Sequence, residues 1–486
     1  MQEQQDFSLL YRDKKLLEAS NLPIITTSAS FKEDLKGFHS ELEDDQLQDV
    51  VFSRAHYSMA LGIAVAAWGD KIDPKKAWLV DPTNHVSAKD WSSIKLTDFI
   101  GQTIARQPIL KTLKDLVDKF ARSKLPILDN IAPATKFLVQ NINRPVLSFH
   151  IANGNILAEN GKQVLQMITD PHVRSDYVIN ADKKNMRFLV FDEETKKEVF
   201  KVAAQEGINI PAEQIENKVI VTGPPVDPRI ITAGKTKKAW SGQRALRIVI
   251  TTGGLGTNKK EIKKILEQLL PALKKTPDNC PDFELIYYAG THADHQKMAS
   301  DLAKKYKVKH HLISPHDPAD FIKTGSLNKP RRNYKTSVKF HIIYHPQIID
   351  ANELLIRYGF PWADLFISKP SGDMAYDAAL SGAALLTLKE WGEWEHNVRA
   401  VFEKQEISQI ADSNNIVEQL ARLSQNKELR TDQSQVPVSS SRPVPLADSS
   451  TTKQASWISQ AMLNTHQLPS IFYQGAVNII KATQKS

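Results

Sequence analysis

The feature that most constrains this chain is a repeated order of elements that begins at Arg247. Short apolar strands alternate there with glycine or proline turns and helical stretches. RIVIT at 247–251 is followed by GGLG at 253–256 and a helical pattern over Lys259–Lys274. Strand Glu284–Tyr288 leads into helix His295–Tyr306, and strands follow near Lys309–Ile313 and Val338–Tyr344. Next come a helix near Ile349–Tyr358 and a strand Asp364–Ser368. KPSGD at 369–373 opens a helix to Leu380, Ser381-Gly382 ends it, and Ala383–Leu388 is the next strand. Parallel strands need crossovers of a dozen or more residues, and those helices cover both faces of the sheet. The pattern therefore predicts an open parallel sheet whose ligands bind at the carboxyl ends of its strands.

Residues 1–240 repeat the alternation less regularly. Strands are expected at Pro23–Thr27, Asp49–Ser53, Ala77–Val80, Val146–Phe149, Val164–Ile168, Tyr177–Ile179 and Val219–Val221. Helices are expected at Ala55–Trp68, at Ser93–Phe120 with a break at Pro108, and at Glu194–Gln205. The Pro-, Gly- and Lys-rich stretch 224–242 reads as a linker, and the polar stretch 314–337 as a surface insertion. Residues 425–450 are Ser-, Pro- and Gln-rich and read as a flexible loop, and apolar positions in Trp457–Ile480 suggest helices that pack back on the body. The expected fold is α/β, with two Rossmann-like domains facing a cleft. One unit spans 1–225, a linker 226–245, the second unit 246–424, a flexible loop 425–450, and terminal helices 451–486.

Composition narrows the class. The 486 residues allow two or three domains, and 41% hydrophobic with 24% charged residues is ordinary for a globular protein. No apolar run approaches the ~20 residues of a membrane-spanning helix. The start, MQEQQDFSLLYRDKK, lacks the apolar core of a secretory signal. The single cysteine, Cys280, excludes an internal disulfide framework and a Cys-based zinc cluster, and a reducing cytoplasmic setting fits. The net charge of +8 favours anionic partners, but it is spread along the chain. Its densest spots, KTKK at 235–238 and KPRR at 329–332, read as solvated loops, not as a nucleic-acid surface.

Three loops carry candidate chemistry. In TTGGLG (251–256), Gly253 and Gly254 let backbone approach a phosphate or sugar, and the next helix offers a positive end; a mere tight turn fits as well. In SKPSGDMAYDAALSG (368–382), the helix start after Lys369, with Ser371, Gly372 and Asp373, offers backbone N–H groups to a pyrophosphate. Asp377 lies one turn on from Asp373, where a carboxylate suits ribose hydroxyls. Ser371 and Asp373 also suit plain N-caps. In WGEWEHN (391–397), Glu393 and Asn397 suit sugar hydroxyls, with Trp391 or Trp394 stacking on a sugar or base; a helix cap with aromatic packing is the alternative. The pairs His310-His311 and His341 with His345 lack a carboxylate at ligand spacing, so no metal site is expected.

Taken in order, these loops resemble the GT-B glycosyltransferases of family 28. That family includes diacylglycerol galactosyl- and glucosyltransferases and the undecaprenyl-linked N-acetylglucosaminyl transferase of peptidoglycan synthesis. The resemblance covers roughly 215–425 and is most specific in ADLFISKPSGDMAYDAALSGAALLTL. VIVTGPPVDPRI (219–230) looks like the family's hinge, with Arg229 near the place of a basic residue. In the N-terminal half, VFSRAHYSMALGIAVAAW (51–68) resembles the strand, glycine loop, His and Ala-rich helix, which puts His56 in the His place. PVLSFHIANG (145–154) resembles the strand that faces the acceptor, with His150, and Thr169-Asp170 resembles the next strand end. The chain departs from the family where Phe52, Ser53, Arg54 and Ala55 replace glycines, Asp377 replaces a Glu, and Glu393 replaces a Gln.

The resemblance implies an inverting transfer from a UDP-sugar donor to a lipid or other small hydroxyl acceptor, with no cofactor and no metal. The 246–424 unit would bind the donor and the 1–225 unit the acceptor. His56, then His150, is the implied base. Gly253, Gly254, Lys369, Ser371, Gly372, Asp373, Asp377, Glu393, Asn397 and Arg229 are the implied donor residues. The stretch 93–120 would contact an anionic membrane surface peripherally, or pack as an ordinary helix. Two other readings stay open: a catalytically degenerate nucleotide-sugar-binding protein, and a nucleotide-sugar epimerase.

Overall fold

The computed structural model describes residues 2–30, 50–51, 53–86, 126–313, 338–390, 392–425 and 455–484. The amphipathic stretch 93–120, the insertion 314–337 with its KPRR spot, Trp391 and the loop from 426 to 450 lie outside the described residues.

Two parallel sheets form the scaffold. The first half contributes β1 (Leu22–Ile25), β2 (Ala29–Ser30), β3 (Val50–Val51), β4 (Ala77–Val80), β5 (Val146–Ser148), β6 (Val164–Met167), β7 (Met186–Val190) and β8 (Val219–Val221). Six of these form one sheet in the order β4-β1-β5-β6-β7-β8, while β2 and β3 pair as a separate antiparallel ribbon. The second half contributes β9 (Leu246–Thr251), β10 (Phe283–Gly290), β11 (His310–Ile313), β12 (Phe340–Tyr344), β13 (Leu365–Ser368), β14 (Ala384–Thr387) and β15 (Ser408–Ile410). Their order is β11-β12-β10-β9-β13-β14-β15. The expected class holds: the fold is α/β with two Rossmann-like sheets. Every residue of β1, β4, β6, β13 and β14 is buried, as parallel strands covered on both faces require.

Each sheet reverses direction once. From β9 the chain moves outward to β10 and beyond, then returns to lay β13 on the other side of β9. The first sheet does the same around β1, with β4 on one side and β5 on the other. Where the order reverses, the two turns part and leave a crevice at the carboxyl ends. In the second sheet those turns are 252–258 and 369–373. In the first they are 26–28 and 149–150.

One apolar cluster belongs to the first sheet and includes Trp78, Tyr177 and Phe188. Another belongs to the second and includes Leu266, Tyr287 and Leu386. A third joins the halves, running from Tyr57 and Ile63 through Phe191 and Tyr376 to Phe472. The C-terminal helices help build it. Trp457–Thr465 packs on β14, and Ser470–Gln484 crosses back to the helix Arg54–Trp68.

Two expectations need correction. Tyr177–Ile179 is not a strand. Tyr177 and Val178 belong to the short helix Ser175–Val178, which Ile179 follows, with Tyr177 buried and Ile179 exposed. The strand in that region is β7, MRFLV, set between Lys183-Lys184 and the acids Asp192-Glu193-Glu194. The stretch 224–242 is not a bare linker either. It holds the helix Pro228–Thr236, capped by Asp227, with Ile230 and Ile231 buried in the joining cluster.

The returning helix approaches the chain crossing between the sheets backbone to backbone. A Cβ on Gly475 would lie 2.0 Å from the Pro224 carbonyl oxygen. Gly475→Val is expected to destabilise the protein by about 2 kcal/mol or more, measured as the urea midpoint at constant m. An unchanged midpoint would show that this approach does not hold the halves together.

Candidate functional site

The second sheet's crevice is shaped by its glycine turn. Thr251 and Ser368, at the ends of β9 and β13, hydrogen-bond through their hydroxyls at 2.6 Å. A Cβ on Gly253 would lie 3.2 Å from Lys369 Cδ, so glycine leaves room for that side chain. Two histidines brace the turn from behind. His292 Nε2 lies 3.0 Å from the Gly254 carbonyl, and His295 Nε2 lies 3.1 Å from the Gly256 carbonyl. Burial, and then His292, hold the His295 ring down to about 3, so it is neutral. Nε2–H therefore donates to Gly256, and Nδ1 accepts from the Tyr287 hydroxyl at 2.5 Å.

The second turn carries the charge. Lys369 is buried and pairs with Glu395 at 2.5 Å. The Ser371 hydroxyl donates to Asp373 at 2.6 Å and accepts from the Met374 N–H at 3.3 Å, closing the start of the helix Met374–Leu380. Asp373 and Asp377 face a cation from the other half of the chain. Arg54 Nη1 lies 2.5 Å from Asp373, and Nη2 lies 2.9 Å from Asn352 Oδ1 and 3.9 Å from Asp377. Arg54 is 5% exposed and Asp373 6%, so this ion pair is shielded from water. Burial works against the guanidinium's charge, but Asp373, Tyr288 and Asp377 outweigh it and raise its pKa. Burial lifts the Asp377 carboxyl well above the usual carboxylate range, and Asp373 and Asp227 add to this against Arg54.

The first sheet's crevice supplies the opposing wall. His56 lies in the first turn of the helix Arg54–Trp68, which Ser53 caps. Its ring meets that of His150 edge-on at 5.1 Å. Burial, and then Arg174, depress His56 to about 4, while the Thr27 backbone and Asp373 pull the other way. His56 Nδ1 is buried with no hydrogen-bond partner among the described residues. His150 is committed elsewhere. Its Nδ1 accepts from the Ala152 N–H at 3.2 Å and caps the helix Ile151–Glu159. The end of β6 closes over the glycine of the charged turn. A Cβ on Gly372 would lie 2.4 Å from the Thr169 carbonyl oxygen and 2.5 Å from Asp170 Oδ1. Burial raises Asp170 to about 6; Asp373 and Glu395 add to this, and Arg174 and the Gly372 N–H oppose it.

Gly253, Gly254, Lys369, Ser371, Gly372, Asp373 and Asp377 thus gather at one crevice, with His56 opposite. Asn397 reaches across the halves and donates to the Pro171 carbonyl at 3.0 Å. Arg229 is held by Asp227 and Glu353, both at 2.7 Å, and those acids raise its pKa against burial. Glu393 is exposed in the first turn of the helix Glu393–Lys404, and the acid that meets Lys369 is Glu395. Reading 391–397 as a loop obscured this, because two residues along a helix lie on opposite faces. Sequence reasoning also missed Asn352 and Thr257, which carry no local motif, and gave Arg54 no role beyond a departure from the glycine pattern. No group of three His, Cys, Asp or Glu side chains placed to hold a metal occurs among the described residues. No helix among them is long and apolar enough to cross a membrane.

No protein-family model and no curated protein matches the chain. Several solved structures are similar to it. MurG from Acinetobacter baumannii is 12% identical over 95% of this chain and 99% of its own, with a TM-score of 0.42. An E. coli trehalose-6-phosphate structure bound with UDP-2-fluoro glucose is 9% identical over the same shares, with a TM-score of 0.46. UDP-GlcNAc 2-epimerase from Neisseria meningitidis bound to UDP-GlcNAc is 15% identical over 61% of this chain and 73% of its own, with a TM-score of 0.38. Likenesses this distant say nothing of activity, and the fold rests on the two sheets described above.

The depressed His56 gives a pH signature. Its folded pKa, about 4, lies below the unfolded value, so the unfolded state takes the proton first as pH falls. This contribution to stability is complete above about pH 6.5 and lost as pH falls through 4. Relative to His56→Gln, the native protein should lose roughly 3 kcal/mol between pH 7 and pH 4 in urea unfolding. A difference that does not change with pH would show that the ring is not desolvated.

Proposed function

We propose that the crevice binds a UDP-sugar and that the protein transfers the sugar, with inversion, to the hydroxyl of a lipid or other small acceptor. One observation carries this reading. Around the Gly253-Gly254 turn and Lys369, four buried side-chain atoms have no hydrogen-bond partner among the described residues: Arg54 Nε, Asn352 Nδ2, Thr257 Oγ1 and His56 Nδ1. Each unmade hydrogen bond of a buried polar group costs about 1–3 kcal/mol, and native proteins keep such atoms few. The three that can donate, Arg54 Nε, Asn352 Nδ2 and Thr257 Oγ1, gather at a topological switch point and suit a ligand rich in acceptor oxygens, as a diphosphate is, whereas His56 Nδ1 suits a hydroxyl proton. The order of motifs shared with family 28 adds the uridine and the sugar.

The chemistry follows from the two walls. His56 Nδ1 takes the acceptor's hydroxyl proton as its oxygen bonds to the anomeric carbon. The bond from that carbon to the diphosphate oxygen breaks, and UDP leaves with the electron pair. Lys369 and Arg54 stand where the leaving charge develops. A pKa of about 4 makes His56 neutral but weakly basic. A bound diphosphate would raise its proton affinity, because a nearby negative charge favours imidazolium. The cap at Ala152 makes His150 a positioning residue.

A second reading has its own support: a protein that binds nucleotide sugar without turnover. Arg54 already pairs with Asp373, and Asp170 already covers Gly372, so the crevice partly satisfies itself.

Thermal shift with UDP, UDP-glucose, UDP-galactose and UDP-N-acetylglucosamine tests the binding. At a hundredfold excess over Kd, a ligand adds about 2.7 kcal/mol, a rise of a few degrees. No rise with any uridine nucleotide would sink the proposal. Binding without transfer to any hydroxyl acceptor favours the second reading. His56→Ala is expected to lower transfer by about a hundredfold or more with UDP affinity near wild type; retained transfer would remove His56 as the base.

A further inference from the structure

Arg54 stands where the family resemblance expects glycine, yet it is among the most deeply engaged residues of the crevice. Its backbone touches the glycine turn of the other half: a Cβ on Gly254 would lie 2.9 Å from the Arg54 backbone nitrogen and 3.3 Å from its Cβ. Its guanidinium runs inward, over the Tyr288 ring at 5.9 Å, to Asp373 and Asn352. Nη1 and Nη2 are engaged, while Nε is buried without a partner among the described residues. Asp373 has other donors besides Arg54, namely the Ser371 hydroxyl at 2.6 Å and the Ser58 hydroxyl at 3.5 Å. That carboxylate therefore keeps hydrogen bonds if the arginine turns away. The arginine has a spare donor and lies against the turn that a diphosphate would approach.

We infer that Arg54 is a diphosphate-binding residue held in reserve by Asp373: when the ligand enters, the guanidinium exchanges the carboxylate for phosphate oxygens. This deepens the nucleotide-sugar reading and rests on it for the uridine. The exchange replaces one charge-assisted N–H···O contact by another, with no covalent step. A planar fork of donors suits phosphate oxygens as well as a carboxylate. Asp373 then competes with the ligand for the same cation, so weakening Asp373 should strengthen binding. A plug that the ligand must displace would behave in the opposite way, since removing Arg54 would then help.

The test uses the full chain and isothermal titration with UDP, uridine and inorganic pyrophosphate. Asp373→Asn keeps the side-chain shape and removes the competing charge. It is expected to bind UDP roughly tenfold tighter than wild type, with uridine unchanged. Adding Arg54→Met to that variant avoids leaving a buried carboxylate unpaired. The double variant is expected to bind UDP at least about tenfold more weakly than Asp373→Asn, again with uridine unchanged. The same ratios should hold for pyrophosphate. If UDP binding by Asp373→Asn is unchanged or weaker, or if the double variant binds UDP as tightly, the inference is overturned. Pyrophosphate bound in an Arg54-dependent way without any uridine nucleotide would uphold the role of Arg54 and refute the UDP-sugar reading. Wild type binding neither would overturn both.

Discussion

Two parallel strands cannot be joined by a tight turn, and that constraint organises the molecule. Each connection must cross a face of the sheet, and each sheet here fills one side of its first strand before turning to the other. The reversal parts two turns at the carboxyl end of the sheet. The turns after β9 and β13 carry the glycines, Lys369 and Asp373. Those after β1 and β5 carry Thr27 and His150, which flank His56. The site arises twice from one rule, and the two copies meet.

Their meeting is electrostatic as much as apolar. A cluster of buried side chains joins the halves, but charged groups decide how the crevice surfaces register. Arg54 crosses to Asp373 and Asn352, Asp170 crosses to Gly372, and Asn397 crosses to the Pro171 carbonyl. A buried ion pair gains Coulomb energy but gives up the solvation of both charges, so its net contribution to stability is small. Its larger consequence is specificity of position. Breaking one partner leaves a charge without water, so Arg54 and Asp373 tolerate little displacement unless a ligand supplies the missing charge. Burial also sets the protonation states: it lifts Asp377 and Asp170 and lowers His56, and the site's charges therefore depend on what enters it.

Much of this was legible in the sequence because it is local. Apolar runs of four to eight residues followed by glycine turns mark parallel strands, and most strands of the second sheet lie within a residue or two of their expected bounds. The turns at 253–256 and 369–373 were visible because glycine and proline punctuate a chain wherever backbone must bend or approach closely. β7 carries little local signal because Lys183-Lys184 precede it and Asp192-Glu193-Glu194 follow close behind, and Tyr177–Ile179 reads as a strand because three apolar residues satisfy either period. The helix Pro228–Thr236 was hidden by a composition that resembles a linker.

Only the tertiary structure could decide which side chains share the crevice. Arg54 and Asp373 are 319 residues apart, and Arg54 and Asn352 are 298 apart. No local pattern couples such positions. The choice of Glu395 over Glu393 turns on where one helix begins, since that sets which face is buried. The different surroundings of His56 and His150, one buried without a partner at Nδ1 among the described residues and the other capping the helix at Ala152, exist only in the folded backbone. Sequence alone determined the α/β class, the alternation that builds the two sheets and the glycine turns at 253–256 and 369–373, because those follow from period and punctuation. The pairing of charges across the crevice was left to the fold, because burial and long-range contact exist only once the two sheets face each other.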